Sequence, residues 1–162
     1  MNIAVNYAGS AAAAEETAAA CRALGVQAVT LQADVRSPEA CQKLVEDTVA
    51  AFGRIDVLVN NAGITADKLL MRMTESDFDN VLFTNLKGTF FCTKAASRLM
   101  MRQRYGRIIN ISSVVGLHGN AGQANYAASK AGLIGLTKAL PKSTPHAILP
   151  PMRWHLDLLK PI

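Results

Sequence analysis

A serine, a tyrosine and a lysine are spaced so that one site can hold all three. Tyr126 and Lys130 are four residues apart, so on a helix they share one face. An ammonium beside a phenol favours the phenolate form, which makes the phenol a usable proton donor near neutral pH. Ser113 follows an apolar run over residues 107–111, and its hydroxyl can hydrogen-bond a substrate carbonyl and stabilise a developing alkoxide. If the Tyr-x-x-x-Lys spacing is considered alone, the alternative to a catalytic site is an ordinary exposed pair on a helix.

Asparagine occurs at two further places where the surrounding pattern suggests a role. The string N-N-A-G over residues 60–63 follows an apolar run, and small residues there let a cofactor approach the backbone. The alternative is a simple turn, because asparagine and glycine are turn formers. Asn85 lies inside a predicted helix, where asparagine is mildly unfavourable. It is interpreted either as a local helix distortion whose freed carbonyl holds a water, or as a tolerated surface residue.

The elements that must position these residues alternate between strands and helices. The apolar runs predict strands over residues 3–7, 28–32, 55–59 and 107–111. Helical spacing and capping residues predict helices over 11–24, 37–53, 74–103 and 124–140, with a glycine-rich loop over 112–122. This order indicates right-handed βαβ crossovers and a doubly wound parallel sheet. Ligands bind at the carboxyl ends of strands in such sheets, which is where Ser113 is expected.

The last part of the chain differs in composition from the rest. Five of the six prolines lie at positions 141, 145, 150, 151 and 161, and the sixth is Pro38. Proline removes a backbone donor and clashes inside a helix. We therefore expect the last helix to stop soon after Lys138 and no regular element to follow. The chain divides on this basis into a partial domain over residues 1–140 and an irregular tail over 141–162.

Bulk composition excludes several classes of function. The chain has 162 residues, 50% of them hydrophobic, which suits one domain with a buried core. Its formal charge is +5 without a run of like charges, so no nucleic-acid partner is expected. The three cysteines, Cys21, Cys41 and Cys92, form no C-x-x-C pattern and are expected to be small buried residues in a reducing compartment, with no metal site.

No targeting or membrane segment is recognised in the sequence. The chain starts Met1-Asn2-Ile3 without a signal or transit peptide, and no uncharged apolar run reaches the length that spans a membrane. A cytoplasmic location without a membrane partner is therefore expected. A plastid or mitochondrial location stays open if a targeting segment was lost.

Five short strings together resemble the short-chain dehydrogenase/reductase superfamily. They are D-V at 34–35, N-N-A-G at 60–63, T-N-L at 84–86, I-S-S at 111–113 and Y-A-A-S-K at 126–130, and the resemblance runs from about residue 3 to 140. Three longer strings resemble its 3-oxoacyl-acyl-carrier-protein reductases: L-L-M-R-M at 69–73, G-R-I-I-N-I-S-S-V-V-G at 106–116 and G-Q-A-N-Y-A-A-S-K-A-G at 122–132. The resemblance implies a partial Rossmann-type fold whose strands are equivalent to the family's second to fifth.

The resemblance also implies roles for the matching residues. Tyr126 is the expected proton donor to the substrate carbonyl, Lys130 makes that phenol more acidic and binds the nicotinamide ribose, Ser113 orients the carbonyl, and Asn85 anchors a proton-relay water. The cofactor-binding set contains Tyr126 and Lys130 as well. Its other expected members are Asp34, Val35, Asn61, Ala62 and Gly63. Asp34 is expected to contact the adenine, and the backbone of Asn61, Ala62 and Gly63 is expected to line the cofactor cleft.

The implied activity is reduction of a 3-oxoacyl thioester on acyl carrier protein to the 3-hydroxyacyl thioester, a step of fatty acid synthesis. NADPH is the expected cofactor. NADH stays open, because the position that often carries a basic ligand for the 2′-phosphate is Gly9-Ser10 here. Arg104 matches a basic position for carrier-protein docking, with a solvated arginine as the alternative. A homo-oligomer, a tetramer in the family, is expected.

Two other functions stay open from the sequence. One is a short-chain reductase that acts on a different carbonyl or alcohol. The other is a non-catalytic fragment that associates with full-length subunits through helices over residues 75–103 and 124–140.

The family's first strand, its T-G-x-x-x-G-x-G loop and the pyrophosphate-binding helix have no match in this sequence. That strand would lie between the strands predicted at 3–7 and 55–59, so their facing edges are expected to lack a shared partner. Each unpaired buried backbone group costs roughly 1–3 kcal/mol, against about 5–15 kcal/mol for the stability of a whole domain. We therefore expect a marginal or misassembled fold and an inactive chain.

The tail also suggests a change of reading frame. When residues 141–162 are back-translated and shifted by one nucleotide, permitted synonymous codons read AKEYASRNITANAVAPGFIETD, which resembles the family's next segment. The hypothesis is a one-base frameshift near Leu140, after which His146, Trp154 and His155 have no selected role. A transcript whose codons do not spell that string in the shifted frame contradicts it.

Overall fold

The architecture comes from a computed structural model that describes residues 1–143 and 153–159, in which strands alternate with helices. The strands are β1 Ile3–Tyr7, β2 Ala28–Gln32, β3 Val57–Asn60, β4 Arg107–Ser113 and β5 Arg153–Leu159. The helices are α1 Ala11–Ala23, α2 Pro38–Phe52, α3 Glu75–Leu82, α4 Gly88–Gln103, α5 Val115–His118 and α6 Ala124–Ser143. A 3₁₀ turn occupies Leu70–Arg72, and a π-helical segment at Phe83–Lys87 joins α3 to α4.

Helix ends follow the capping residues of the sequence. The side chains of Ser10 and Ser37 accept hydrogen bonds from the first turns of α1 and α2, and Pro38 is the first residue of α2. Gly53 ends α2 in the left-handed conformation, with φ of 77°, which glycine adopts without strain. Thr74 begins α3 with a capping box. These predicted helix ends are confirmed.

The parallel sheet is divided into two parts. β1 pairs with β2, and β3, β4 and β5 form a second sheet in that order, with every pair parallel. Among the described residues, no strand pairs with the free edge of β1 or of β3. Val59 in β3 is 52% exposed, as expected for a strand that has a neighbour on one side only. The predicted α/β class is confirmed, and the break falls where the sequence analysis expected facing edges without a shared partner.

Helix α2 packs against α4 and the end of β2, and so connects the two sheets. Val45 of α2 packs against α4 and β4, where Met100 and Ile108 are fully buried. A second cluster joins Val35, which follows β2, to Cys41 of α2 and Cys92 of α4. The apolar positions of α2 recur at helical spacing, so one face of this helix covers both clusters.

The long helix predicted over residues 74–103 is interrupted at Asn85. In the π segment the Gly88 N–H donates to the Phe83 carbonyl, five residues earlier. This widened turn shifts the helical register by one residue between α3 and α4. The predicted local distortion at Asn85 is therefore confirmed.

The tail contradicts the prediction of an irregular segment after residue 140. α6 continues through Pro141 to Ser143, because a proline in the last turn removes only one hydrogen bond of the helix. β5 then pairs with β4 in parallel register over all seven residues. Its sequence, R-W-H-L-D-L-L, alternates polar and apolar residues, and the prolines flank this stretch rather than interrupt it. The rest of the tail, with His146, lies outside the described residues.

Within residues 1–143, no helix is both long enough and apolar enough to cross a membrane.

Candidate active site

Tyr126 and Lys130 lie one turn apart on α6, with their side chains together. The Lys130 Nζ atom is 5.6 Å from the centroid of the Tyr126 ring. The predicted shared face is therefore confirmed. Lys130 is only 5% exposed, so the alternative of an ordinary exposed pair is wrong.

The Lys130 ammonium connects α6 to β4. Its Nζ donates a hydrogen bond of 2.8 Å to the carbonyl oxygen of Ile111 on β4. Burial lowers the pKa of Lys130, because removal from water penalises the charged form. An ammonium has three N–H donors, and the described residues engage one of them. Two donors are left for the hydroxyls of a ligand.

Ser113 is the last residue of β4, two residues after Ile111, whose carbonyl Lys130 contacts. It is 4% exposed, and its Oγ accepts a hydrogen bond of 3.2 Å from the Val115 N–H. No described residue accepts the Ser113 hydroxyl proton, which is therefore available to a carbonyl oxygen. The chain then passes directly over α6: a Cβ added at Gly116 would lie 2.9 Å from the Lys130 Cβ. Lys130 thus contacts β4 two residues before Ser113 and is approached by the chain three residues after it, and Tyr126 lies one turn away from Lys130 on α6.

Asn85 is fully buried and its side chain joins three elements. Its Oδ1 accepts from the Ile64 N–H at 2.8 Å, and its Nδ2 donates to the Ile64 carbonyl at 3.0 Å and to Ser129 Oγ at 3.1 Å. The Asn85 carbonyl accepts a hydrogen bond of 2.9 Å from Thr89 Oγ1. The alternative of a tolerated surface residue is wrong, and the water-holding role stays a prediction.

The N-N-A-G string divides into a buried residue and an exposed edge. Asn60 is buried and donates to Asn110 Oδ1 at 2.8 Å and to Thr93 Oγ1 at 3.1 Å, so it connects β3 to β4 and α4. Residues 61–63 are exposed. A Cβ added at Gly63 would lie 3.2 Å from Asn85 Oδ1. Gly63 therefore lies close to Asn85, and a cofactor-binding role for Asn61, Ala62 and Gly63 stays a prediction.

Asp34 and Val35 follow β2, in a separate group of contacts from the serine, tyrosine and lysine. The Asp34 side chain, 42% exposed, accepts hydrogen bonds from the backbone and the guanidinium of Arg36. The side-chain bond to Arg36 is the main reason that the pKa of Asp34 is lowered. Val35 is buried against Cys41. An open depression beside Asp34 is also lined by Asn80.

Arg104 caps the end of α4 as an exposed residue. It adopts the left-handed conformation with φ of 53°, and its N–H donates to the Met101 carbonyl at 3.1 Å. This position agrees with the alternative of a solvated arginine at a helix end. A docking role stays a prediction.

The cysteines lie away from the candidate site. Cys41 and Cys92 are buried free thiols with their Sγ atoms 3.3 Å apart, and Cys21 is half-buried. Burial is thus confirmed for two of the three. In the part of the chain described, no group of three His, Cys, Asp or Glu side chains is arranged to hold a metal ion.

The sequence analysis missed three side chains that support the site. Ser112 Oγ donates to the Lys130 carbonyl at 2.9 Å, and Ser129 Oγ donates to the Tyr126 carbonyl at 2.8 Å. Asn125 Oδ1 accepts from the Tyr126 N–H at 2.8 Å. Each lies next to a residue singled out from the sequence. That adjacency was the one available signal.

The residues present fit the nicotinamide end of a dinucleotide. The two uncommitted donors of Lys130 suit the paired hydroxyls of a ribose. The exposed backbone of residues 61–63 carries small side chains at its end, which leaves room for a planar ring. Asp34, at the end of β2, has an exposed carboxylate that can accept from an adenosine group.

Comparisons with known proteins agree with this geometry. A family model described as short chain dehydrogenase matches residues 1–147. The 3-oxoacyl-acyl-carrier-protein reductase of Staphylococcus aureus is 54% identical over 138 residues, 85% of this chain and 56% of that protein. The reductase of the same name from Synechocystis is 52% identical over 142 residues, 88% of this chain and 58% of that protein. The chain thus spans just over half the length of these curated relatives.

Proposed function

The chain belongs to the short-chain dehydrogenase family, and on that premise we propose that it is a nicotinamide-dependent oxidoreductase that reduces a 3-oxoacyl thioester to the 3-hydroxyacyl thioester. One observation carries the proposal: the Lys130 Nζ atom is 2.8 Å from the Ile111 carbonyl oxygen and 5.6 Å from the centroid of the Tyr126 ring. A cation beside a phenol near the carboxyl end of a parallel strand supports the proposal, because ligands bind at that end of such sheets.

Each residue has a defined task in the proposed reaction. When bound, the nicotinamide supplies a hydride to the ketone carbon. Ser113 donates its hydroxyl proton in a hydrogen bond to the carbonyl oxygen and stabilises the negative charge that develops there. Tyr126 transfers its phenolic proton to that oxygen, and the Lys130 ammonium stabilises the phenolate that remains. Asn85 completes the set as the anchor of a water that returns a proton.

The cofactor assignment combines two groups of residues. Lys130 and the backbone of Asn61, Ala62 and Gly63 hold the nicotinamide end, and Asp34 with Val35 holds the adenosine end. NADPH is the proposed form, with NADH as the alternative.

The substrate assignment rests on the relatives, which are 3-oxoacyl-acyl-carrier-protein reductases. An acyl-carrier-protein thioester is therefore the proposed substrate, and Arg104 is the proposed docking position because its side chain is exposed at the end of α4. Location in the cytoplasm is part of the same proposal. The alternative within the enzyme class is a different carbonyl or alcohol substrate.

Catalysis is tested by comparing Tyr126→Phe with Tyr105→Phe. Purified chain is titrated with NADPH, followed by nicotinamide fluorescence, and is then given acetoacetyl thioester. We expect turnover by Tyr126→Phe to fall at least about 100-fold, since the loss of a general acid typically costs 10²- to 10⁴-fold. Tyr105 is an exposed tyrosine beside Arg54 and serves as the control. Equal turnover by both variants contradicts the proposal. A wild-type chain that neither binds nor oxidises NADPH also contradicts it, and would confirm the inactive chain that the sequence analysis expected.

A second candidate is association with other copies or with longer relatives of this fold. The observation that favours it is a set of aromatic side chains left exposed along α3, the π segment and α4: Phe78 at 36%, Phe83 at 36% and Phe90 at 43%. Light scattering with and without a full-length relative tests it. A monomer that does not bind the relative contradicts this candidate and the proposed homo-oligomer together.

A further inference from the structure

We propose that Asn125 is a positioning residue that fixes the proton donor Tyr126 relative to the loop after β3; this inference rests on the proposed function. Asn125 is fully buried, and its side chain uses both its acceptor and its donor. Its Oδ1 accepts from the Tyr126 N–H at 2.8 Å, and its Nδ2 donates to the carbonyls of Ala66 at 3.0 Å and Asp77 at 3.1 Å.

The bond to the Tyr126 N–H satisfies a group that the helix itself cannot satisfy. α6 begins at Ala124, so Tyr126 lies in the first turn, where N–H groups have no helical acceptor. The Tyr126 carbonyl is held as well, because it accepts from Ser129 Oγ at 2.8 Å. The side chains of Asn125 and Ser129 thus hydrogen-bond the N–H and the carbonyl of Tyr126. These bonds fix the backbone from which the phenol side chain extends.

The other two bonds of Asn125 reach separate parts of the chain. Ala66 belongs to the loop that follows the exposed edge at residues 61–63, and Asp77 lies in the first turn of α3. Two residues before Ala66, Ile64 is held by Asn85, whose Nδ2 also donates to Ser129. The loop proposed to border the nicotinamide is therefore tied to α6 at two points: through the Asn125 amide, just before Tyr126, and through the Asn85 amide, which bonds Ser129 after Tyr126.

Two neighbouring hydrogen bonds also join the loop after β3 to the segment that leads into α6, but they are exposed. The Lys68 N–H donates to the Gly122 carbonyl at 2.9 Å, and Gln123 Nε2 donates to Asp67 Oδ2 at 2.8 Å. Exposed bonds of this kind exchange with water at little cost, whereas a buried amide that loses a partner bears the full desolvation penalty. Asn125 is therefore the contact that sets the position, and the exposed contacts add to it.

The side-chain chemistry explains why an amide is needed. Asparagine alone among residues of its size offers an acceptor and two donors at fixed angles. An aspartate in its place keeps the acceptor for the Tyr126 N–H but turns a carboxylate toward the Ala66 and Asp77 carbonyls. An alanine removes all three bonds. Because displacement of a reacting group by about 1 Å can cost about 100-fold in rate, either change is expected to act on turnover.

The experiment measures backbone amide exchange and steady-state kinetics for Asn125→Asp and Asn125→Ala. Asn120→Ala is the control, since Asn120 is an exposed asparagine in the same approach to α6. In Asn125→Ala the Tyr126 amide is expected to exchange at least about 10-fold faster, as for one lost hydrogen bond. In Asn125→Asp the Tyr126 amide stays protected, while the Ile64 and Lys68 amides exchange faster. For both variants kcat falls on the order of 10- to 100-fold with KM for NADPH nearly unchanged.

The two readouts separate this inference from the proposed function. Exchange is measured without cofactor or substrate, so it decides whether Asn125 holds Tyr126 and the loop even in a chain that does not turn over. Wild-type exchange at Tyr126 and Lys68 in Asn125→Ala overturns the inference, as does faster exchange spread evenly over β4, which indicates general destabilisation. Wild-type kcat in both variants of an active chain also overturns it and leaves the reductase assignment standing.

Discussion

The two sheets are stabilised in different ways. The β1–β2 unit, residues 1–33, buries only small side chains. Its buried apolar residues are Ala14, Ala18, Ala28 and Ala33. The β3–β4 unit, residues 57–137, fully buries the larger Met100, Ile108 and Leu133. Since burial free energy follows the apolar area removed from water, the second unit has much the stronger core.

Buried polar contacts show the same difference. In the β3–β4 unit Asn60 donates to Asn110, and Asn110 Nδ2 donates to Thr137 Oγ1 at 2.9 Å. In the β1–β2 unit the amide of Asn6 bonds the Leu31 and Ala33 carbonyls from a half-buried position. A buried network in which every group is satisfied specifies one arrangement of its elements.

The comparison shows which part of this chain can tolerate small displacements of its side chains. The proposed proton donor and its partners lie in the unit with the larger core and the buried network, where catalytic groups must be held within about 0.5 Å of their working positions. The proposed adenine contact, Asp34, follows the unit with the alanine core. Binding an adenosine group tolerates small displacements better than proton transfer does. The predictions below test this contrast in order of expected effect.

The largest effect is expected from truncating the core of the β3–β4 unit. Ile108→Ala removes a fully buried side chain, and we expect the free energy of unfolding to fall by about 2–5 kcal/mol. Leu31→Ala, at a half-buried position of β2, is the matched change in the other unit and should cost about 1 kcal/mol. Urea unfolding measures both. Equal losses would show that the two cores are equivalent.

The next effect concerns the close approach of α5 to α6. In Gly116→Ala the new Cβ would lie 2.8 Å from backbone atoms of Lys130 and Ala131, which cannot move independently. We expect a loss of about 1–3 kcal/mol by overpacking. Gly135→Ala on the same helix meets nothing within 4 Å and should gain about 0.5–1 kcal/mol from helix propensity. If the two variants are equally stable, the approach is not tight.

A smaller effect is expected where the end of β2 meets α4. In Gly88→Ala the Cβ would lie 2.8 Å from Val35 Cγ2 and 3.3 Å from the Val35 carbonyl. The clash is partly offset by better helix propensity, so we expect a net loss of about 1 kcal/mol. In the control Gly132→Ala the nearest atom is the flexible tip of Leu86, and little change is expected. If Gly132→Ala loses more stability than Gly88→Ala, the contact with Leu86 is the more rigid of the two.

Sequence reasoning performed best where a local rule decides the structure. Ser10 and Ser37 cap helices because their hydroxyls meet N–H groups of their own segment. The shared face of Tyr126 and Lys130 follows from helical spacing, and the distortion at Asn85 follows from the poor fit of asparagine to a helix. These predictions use information within a few residues of each site.

The errors arise where a distant partner decides. β3 begins at Val57 instead of at residue 55, because the Ile55 backbone bonds to the side chain of Gln103. The strand β5 was missed because proline frequency was weighted above the polar–apolar alternation between the prolines. Asn125 was missed because the sequence does not distinguish a buried asparagine from an exposed one. Only the fold shows which carbonyls the Asn125 amide contacts.

The smallest predicted effect is a pH dependence that reports on Lys130. Burial lowers the pKa of Lys130 below its usual 10.5, so above the lowered value the unfolded chain binds more protons than the folded chain does. The free energy of unfolding of the wild type should therefore rise, relative to Lys130→Met, as pH increases toward 10.5. Lys138→Met removes an exposed lysine of the same helix and should show no such trend. Parallel pH curves for all three proteins would mean that the ammonium is solvated, and the β3–β4 unit would then lack the buried cation on which its proposed chemistry depends.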